Sequence, residues 1–352
     1  MVRAHTVSVF EKIREDIQNG KYSQAEFLPS ERELAQNYGT GRGVIRTVLR
    51  KLRTENLICL IPGRGAKVIK VKKKLSLERF LVRFNGTIIF PKANEAMGIL
   101  AGVCAEAAEN HAEVVMSFSD SAVFMNELAA RHAKGDIQGL VFLEGGDGKA
   151  MFSALETIGI PYLVANQEKD DPALCCRMDF RNVGRQAGRY LTARGHRHIG
   201  VVAGPLQNYL YKEILAGFRG ALAEDEISLA PENIIQPDEN GQYSGLRQLL
   251  LSGSRPTAVF AMRDHRAMTF YHVCRDFGVR IPEDISIISY DNITWPDAAH
   301  VGLTTLEQPV EEIGREAVRM LKEWIISGIK PADRNLYPKL IERGSVRDIT
   351  FK

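Results

Sequence analysis

Apolar side chains return at helical spacing in three stretches near the start of the chain. Val9, Phe10, Ile13 and Ile17 mark one face of a first helix, and Asn19-Gly20 closes it with a C-cap pair. A second helix begins at Ser30: in Leu28-Pro29-Ser30-Glu31-Arg32-Glu33-Leu34-Ala35, the Ser30 hydroxyl can accept from the free N–H groups of the first turn. Glu33, three residues on, completes a capping box. This helix stops near Tyr38-Gly39. After the turn Gly39-Thr40-Gly41 the helical period resumes at Val44, Ile45, Val48, Leu49 and Leu52. Two helices joined by a tight turn predict a helix-turn-helix. The strand-like segments Ile58-Cys59-Leu60-Ile61 and Ala66-Lys67-Val68-Ile69 then flank the turn Pro62-Gly63-Arg64-Gly65, which predicts a hairpin, or wing.

Beyond residue 84 the pattern changes. Short, continuous, β-branched runs alternate with helical stretches: Gly86 to Phe90, a helix from Ala96 to Asn110, Val114 to Phe118, and a helix around Phe124 to Lys134. Further runs follow at Gly139 to Leu143, Tyr162 to Ala165, Ile199 to Ala203, Ala258 to Ala261 and Ile285 to Ser289. Runs without polar alternation are those of strands covered on both faces, so the class is α/β with parallel sheets flanked by helices. Residues 85 to 352 are too many for one open sheet, which predicts two similar subdomains with a cleft between them. The expected organisation is a winged helix-turn-helix at 1 to 70, a linker at 71 to 84 and an effector-type body at 85 to 352.

Charge sharpens this division. The 352 residues carry a net +3, but residues 1 to 74 hold 16 Lys/Arg against 7 Asp/Glu, which makes the head basic and leaves the remainder acidic. Arg42, Arg46, Arg50 and Arg53 are spaced to line the polar face of the third helix, where an arginine near the N-terminus can reach a guanine edge bidentately. The wing glycines allow close approach to a groove, with Arg64 placed to enter it. In the linker, Lys70-Val71-Lys72-Lys73-Lys74 reads equally as a solvated, extended tether or as a phosphate contact.

Other chemistry is not indicated. The opening residues lack the basic-then-apolar order of a secretory signal, and no apolar run reaches the length of a membrane span, so the expected location is the cytoplasm with no membrane partner. The five cysteines are odd in number and scattered, and are read as reduced; neither a metal site nor a cofactor is expected. Gly195-His196-Arg197-His198 reads as a structural corner without a third metal ligand. Gly145-Gly146-Asp147-Gly148-Lys149 fails as a phosphate loop, because Leu143 stands where Gly is required and Ala150 where Ser or Thr would hold Mg²⁺. No nucleophile elbow or dinucleotide fingerprint is present, so catalysis is not expected.

The sequence Leu28-Pro29-Ser30-Glu31-Arg32-Glu33-Leu34, with Arg42, Arg46 and Pro62-Gly63-Arg64-Gly65, resembles the GntR family of bacterial regulators across the whole head. The resemblance implies DNA contacts from Arg32, Arg42 and Arg46 and a wing tip at Gly65. Two positions depart from the family: Gly41 and Gly43 replace the usual Ser and Thr, which removes two polar contacts and, at Gly43, weakens the helix by up to about 1 kcal/mol.

The body resembles the effector domain of the LacI family, with its type I periplasmic-binding-protein fold. The matching phrases are Asp179 with Gly184 to Leu191 and Gly195 to Ile199, Ala203-Gly204-Pro205, Gly217-Phe218, Pro256 to Ala261 with Asp264, Gly278 to Asp291, Leu303-Thr304-Thr305 with Gln308-Pro309, and Glu342 to Ser345. A GntR-type head on such a body is the arrangement of arabinose-responsive repressors. It implies repression relieved by a sugar or sugar derivative; a homodimer on near-palindromic double-stranded operator DNA is expected, because two-fold protein symmetry is mirrored in the half-sites. The implied ligand contacts, at strand ends facing the cleft, are Asn94, Glu144, Asn166, Lys212, Tyr243, Arg263 and Asp291. Asp291 can accept from two sugar hydroxyls. Arg263 stands where the family usually has Asn, and two readings fit: with Lys212 it pairs with a ligand anion, or it pairs internally with Glu144 or Asp291. Trp295 either stacks on a sugar face or packs in a loop. The rival to a regulator is a sugar-binding receptor without DNA binding.

Overall fold

The structure is a computed structural model. It describes the chain apart from residues 1, 19–20, 23–26, 56, 62–63, 69–75, 85–91, 118–120, 144–148, 167–172, 294–301 and 351–352, and gives the backbone alone at 2–4, 18, 92–94, 121–122 and 149. Two compact units result, Met1–Ser76 and Leu77–Lys352.

The head contains α1 (Val2–Gln18), α2 (Glu31–Asn37), α3 (Arg42–Thr54) and the antiparallel pair β1 (Ile58–Ile61) and β2 (Gly65–Val68). The predicted capping box is formed: the Glu33 N–H donates to Ser30 Oγ at 3.3 Å, and the Ser30 N–H donates to Glu33 Oε2 at 2.8 Å. All four apolar positions of the first helical stripe are buried, and they meet Leu34, Ile45, Val48, Leu52 and Ile58 in one small core. The segment leading into α2 is fixed by the wing, since the Leu28 N–H donates to the Ala66 carbonyl at 2.8 Å.

The body has two six-stranded sheets. The first is parallel throughout, in the order β13-β7-β6-β5-β3-β4, from β3 (Arg79–Phe84), β4 (Glu113–Ser117), β5 (Leu140–Leu143), β6 (Tyr162–Ala165), β7 (Cys175–Met178) and β13 (Arg334–Leu336). The second runs β14-β12-β11-β10-β8-β9, from β8 (Ile199–Val202), β9 (Ile234–Ile235), β10 (Ala258–Ala261), β11 (Ser286–Asp291), β12 (Thr304–Glu307) and β14 (Lys339–Ile341), with only β14 antiparallel to its neighbour. Helices α4 (Lys92–Glu109), α5 (Ser121–Ala133), α6 (Lys149–Ile158) and α11 (Val310–Ser327) belong to the first lobe. Helices α7 (Phe180–Ala193), α8 (Tyr209–Glu224), α9 (Gly245–Leu251) and α10 (Asp264–Asp276) belong to the second. Every residue of β5, β6, β8 and β10 is buried, as their unbroken apolar character requires.

The chain passes between the lobes three times: at Asp179 between β7 and α7, at Gln308-Pro309 between β12 and α11, and at Tyr337-Pro338 between β13 and β14. Helices α7 and α8 lie almost backbone to backbone. A Cβ on Gly184 would stand 1.9 Å from the Ile214 carbonyl oxygen, so only glycine fits there.

One expectation changes. The linker does not extend to residue 84: Phe80, Leu81, Val82, Arg83 and Phe84 are buried in β3, between β5 and the edge strand β4 of the first sheet. Arg83 is tolerated there because its guanidinium lies 4.1 Å from the centre of the Phe124 ring. The expected strand Gly86 to Phe90 falls outside the described residues.

Candidate functional sites

In the head, α3 buries Ile45, Val48, Leu49 and Leu52 and turns Arg42, Arg46, Arg50 and Arg53 outward. The side chains of Arg42 and Arg46 are 62% and 60% exposed and share one carboxylate: Arg46 Nε donates to Glu31 Oε2 at 2.8 Å, and Arg42 lies 3.8 Å from the same atom. An exposed pair of this kind is worth about 0.2–1 kcal/mol, little enough to be exchanged for phosphate or a base edge, while it holds the two guanidinium groups side by side. Nothing in the local sequence assigns Glu31 this role. Arg32 is exposed on α2. Gly41 is the N-cap of α3 and offers no side-chain cap hydrogen bond. In the wing, Arg64 is exposed and Gly65 adopts φ 103°, a backbone conformation that glycine accepts without strain. Gly63 lies outside the described residues.

In the body, the carboxyl ends of the parallel strands carry the other candidates. Arg263 follows β10, Asp291 closes β11 and Asn166 follows β6; all three have positive φ, at 100°, 129° and 57°. Arg263 is buried and pairs with carboxylates from both lobes. Its Nη1 donates to Glu95 Oε1 on the first turn of α4 and lies 3.6 Å from Asp291 Oδ2. The pairing of Arg263 with Asp291 is therefore internal, whereas Glu144 lies outside the described residues. Gln308, at a crossing, donates from Nε2 to Asp291 Oδ1 at 2.6 Å. Burial drives the Asp291 carboxyl well above the usual carboxylate range against the opposing pull of Arg263. Three buried acceptors in this group have no hydrogen-bond partner: Asn166 Oδ1, Asp291 Oδ2 and Gln308 Oε1.

The remaining candidates divide. Tyr243 donates to the Ala203 carbonyl at 3.0 Å and accepts from Arg266 Nε at 2.5 Å. Lys212 is exposed on α8, because Tyr211 and Leu215 take the inward face, and no contact joins it to Arg263. Asn94 lies in α4, its side chain outside the described set, and Trp295 is also outside it. Sequence reading missed Glu95 and Gln308 as site residues. It also missed Asp264, which accepts from Ser289 Oγ (2.5 Å), Thr305 Oγ1 (2.8 Å) and the Ile293 N–H (2.8 Å) and so holds Ile293 just past β11. Beside Asp264, burial and then the charges of Arg266 and Arg263 push His265 down to about 3, so this imidazole is neutral near pH 7.

His196 fits the reading as a corner: its ring nitrogens meet Thr257 Oγ1 and the Arg347 carbonyl, both at 3.0 Å. The glycine-rich stretch at 145–148 lies outside the described residues. Among the described residues, no cluster of His, Cys, Asp and Glu could hold a metal ion, and no helix is long and apolar enough to cross a membrane.

Comparison with known proteins agrees with both units. Residues 5–68 match the bacterial regulatory proteins of the gntR family, and residues 189–346 match the periplasmic binding protein-like domain. The HTH-type transcriptional repressor PurR of Escherichia coli O1:K1 is 40% identical over 173 residues, which are 48% of this chain and 50% of that protein. The chain thus spans half the length of that repressor. Among solved structures, the transcriptional regulator CelR in complex with cellobiose aligns with a TM-score of 0.63 at 24% identity, over 90% of this chain and 100% of that one. A LacI family regulator from Enterococcus faecium with bound ribose aligns at 0.59 and 24% identity, over 77% and 100%. These two likenesses establish the fold.

Proposed function

We propose, from a gntR-type head joined to a periplasmic-binding-protein-like body, that this chain is a transcriptional repressor whose grip on operator DNA is set by a small polar ligand in the body. The observation that carries the reading is the pair Arg42 and Arg46, held side by side by Glu31 on the exposed face of a helix whose other face builds the core. That is the geometry of a recognition helix: arginines near its N-terminus read guanine edges, while Arg32, Arg64 and the backbone at Gly63 and Gly65 meet phosphate and the adjoining groove.

In the body, unpartnered acceptors at the strand ends call for a hydroxyl-bearing ligand, and the named ligands of the two aligned regulators, cellobiose and ribose, are both sugars. Asn94, Glu144, Asn166, Tyr243, Arg263 and Asp291 are its proposed contacts. Ligand binding changes operator affinity only by its differential affinity for the two states of the body. The protein acts in the cytoplasm as a homodimer on a near-palindromic site, and it is not an enzyme.

The test is selection of binding sites from a random duplex pool by the full-length protein, followed by anisotropy titration of the selected and a scrambled duplex. A two-fold related motif is expected, and Arg42→Ala should reduce discrimination between the duplexes by about 1–3 kcal/mol. No enriched motif, or equal loss on both duplexes, would refute the assignment.

A further inference from the structure

The cleft contains a cation, yet the structure gives that cation no freedom to meet an anion. Arg263 is 4% exposed, and its guanidinium is placed against Glu95 from one lobe and Asp291 from the other. The three groups together carry no excess positive charge. Around them, three of the buried atoms without a hydrogen-bond partner are acceptors: Asn166 Oδ1, Asp291 Oδ2 and Gln308 Oε1, with Asn166 2% and Gln308 5% exposed and the Asp291 side chain 1% exposed. Buried acceptors of this kind are costly unless a donor reaches them. A carboxylate or phosphate on a ligand brings further acceptors, so it would repel the existing ones and find its cation already engaged.

We propose that Glu95 sets the charge specificity of the cleft: by neutralising Arg263 from the opposite lobe, it makes the site select an uncharged, hydroxyl-donating ligand over the corresponding acid, phosphate or amine. This deepens the reading of the body as a sugar-binding domain and rests on it. Hydroxyl groups donate to the three free acceptors without adding charge. An ammonium group would donate equally well but would stand beside a guanidinium. Without Glu95, Arg263 loses one of its carboxylate partners, and the same pocket gains affinity for anions. Glu95 is thus the residue whose removal inverts the preference, although 168 positions separate it from Arg263 in the chain.

The experiment uses the full-length protein and two sets of probes. Inorganic phosphate, followed by calorimetry at constant ionic strength, reports whether the guanidinium is free. Phosphate should bind wild type no better than Arg263→Met, Glu95→Gln should bind it about tenfold or more tightly than wild type, and the double substitution Glu95→Gln with Arg263→Met should erase the gain. The second set compares glucose, gluconate, glucose 6-phosphate and glucosamine, and likewise ribose and ribose 5-phosphate, by thermal shift on wild type.

Stronger stabilisation of wild type by a charged member than by its neutral parent overturns the proposal. So does phosphate binding by wild type that Arg263→Met removes, and so does a Glu95→Gln protein that gains no phosphate affinity. If Glu95→Gln does not fold, Glu95→Ala takes its place in the phosphate arm. Failure of the regulator reading shows separately, as an absence of DNA enrichment with phosphate behaviour unchanged.

Discussion

Replacing Arg263 by methionine removes the cation that Glu95 and Asp291 share and leaves two buried carboxyl groups facing one another across the lobes. Breaking a buried pair from one side costs about 3–5 kcal/mol, far more than the intact pair contributes, because the cost is that of uncompensated buried charge. The cost should depend on pH in a defined direction. Asp291 is already raised well above the usual carboxylate range by burial, and Arg263 is the main influence opposing that rise. Without it the folded protein holds a proton that the unfolded chain releases at its ordinary value near 3.9. Between that value and the raised one, the folded state binds more protons than the unfolded state, so stability falls as pH rises and returns as pH falls. One such proton is worth about 1.4 kcal/mol per pH unit, and because Arg263→Met raises Asp291 further than wild type does, the deficit should shrink as the pH falls from 8 to 5. Urea midpoints of wild type and Arg263→Met, followed by circular dichroism at pH 5, 6, 7 and 8, measure this. A deficit constant across that range, or one below about 1 kcal/mol at pH 8, would show that the guanidinium does not hold the two carboxyl groups.

Three further outcomes are expected. Gly184→Ala forces a methyl against the Ile214 carbonyl oxygen, so it should lower stability by about 1–3 kcal/mol or more; an unchanged urea midpoint would mean that α7 and α8 separate freely. Ser30→Ala removes the acceptor of the Glu33 N–H and should cost about 0.5–2 kcal/mol, seen as a lower melting point of the helical signal, with no change counting against the cap. Cys59 and Cys104 are exposed, whereas Cys175, Cys176 and Cys274 are buried, with thiols pushed up to about 12. An aromatic disulfide reagent should therefore titrate two thiols in the native protein and five in denaturant, and rapid native titration of all five would contradict the packing.

The head was legible because its signals are local. A cap, a helical period and a turn lie within a few residues of the contacts they specify, and Ser30 with Glu33 forms the box its spacing implies. The continuous apolar strands were legible for the same reason, since covering both faces leaves no polar alternation. β3 was not, because Arg79 and Arg83 made it resemble the basic tether before it; nothing in the local sequence says that Arg83 will lie over a ring 41 positions later. The group at the strand ends was legible in part: Asn166, Arg263 and Asp291 stand there as expected, and one of the two readings of Arg263 named its Asp291 partner. Glu95 escaped notice because it meets Arg263 only once both lobes have formed. Lys212 was expected beside Arg263, but helix phase decides otherwise, as Tyr211 and Leu215 occupy the inward face of α8.

The three crossings at Asp179, Gln308-Pro309 and Tyr337-Pro338 make each lobe a mosaic of separated chain segments. A single proteolytic cut between lobes leaves two covalent tethers in place, and any uninterrupted fragment that contains one sheet entire also carries strands of the other. The lobes therefore cannot be dissected genetically as modules. Any relative motion is that of two plates on a triple-threaded pin, and the thread at Gln308 is also bonded to Asp291, so the pin itself is wired to the carboxyl group that Arg263 holds.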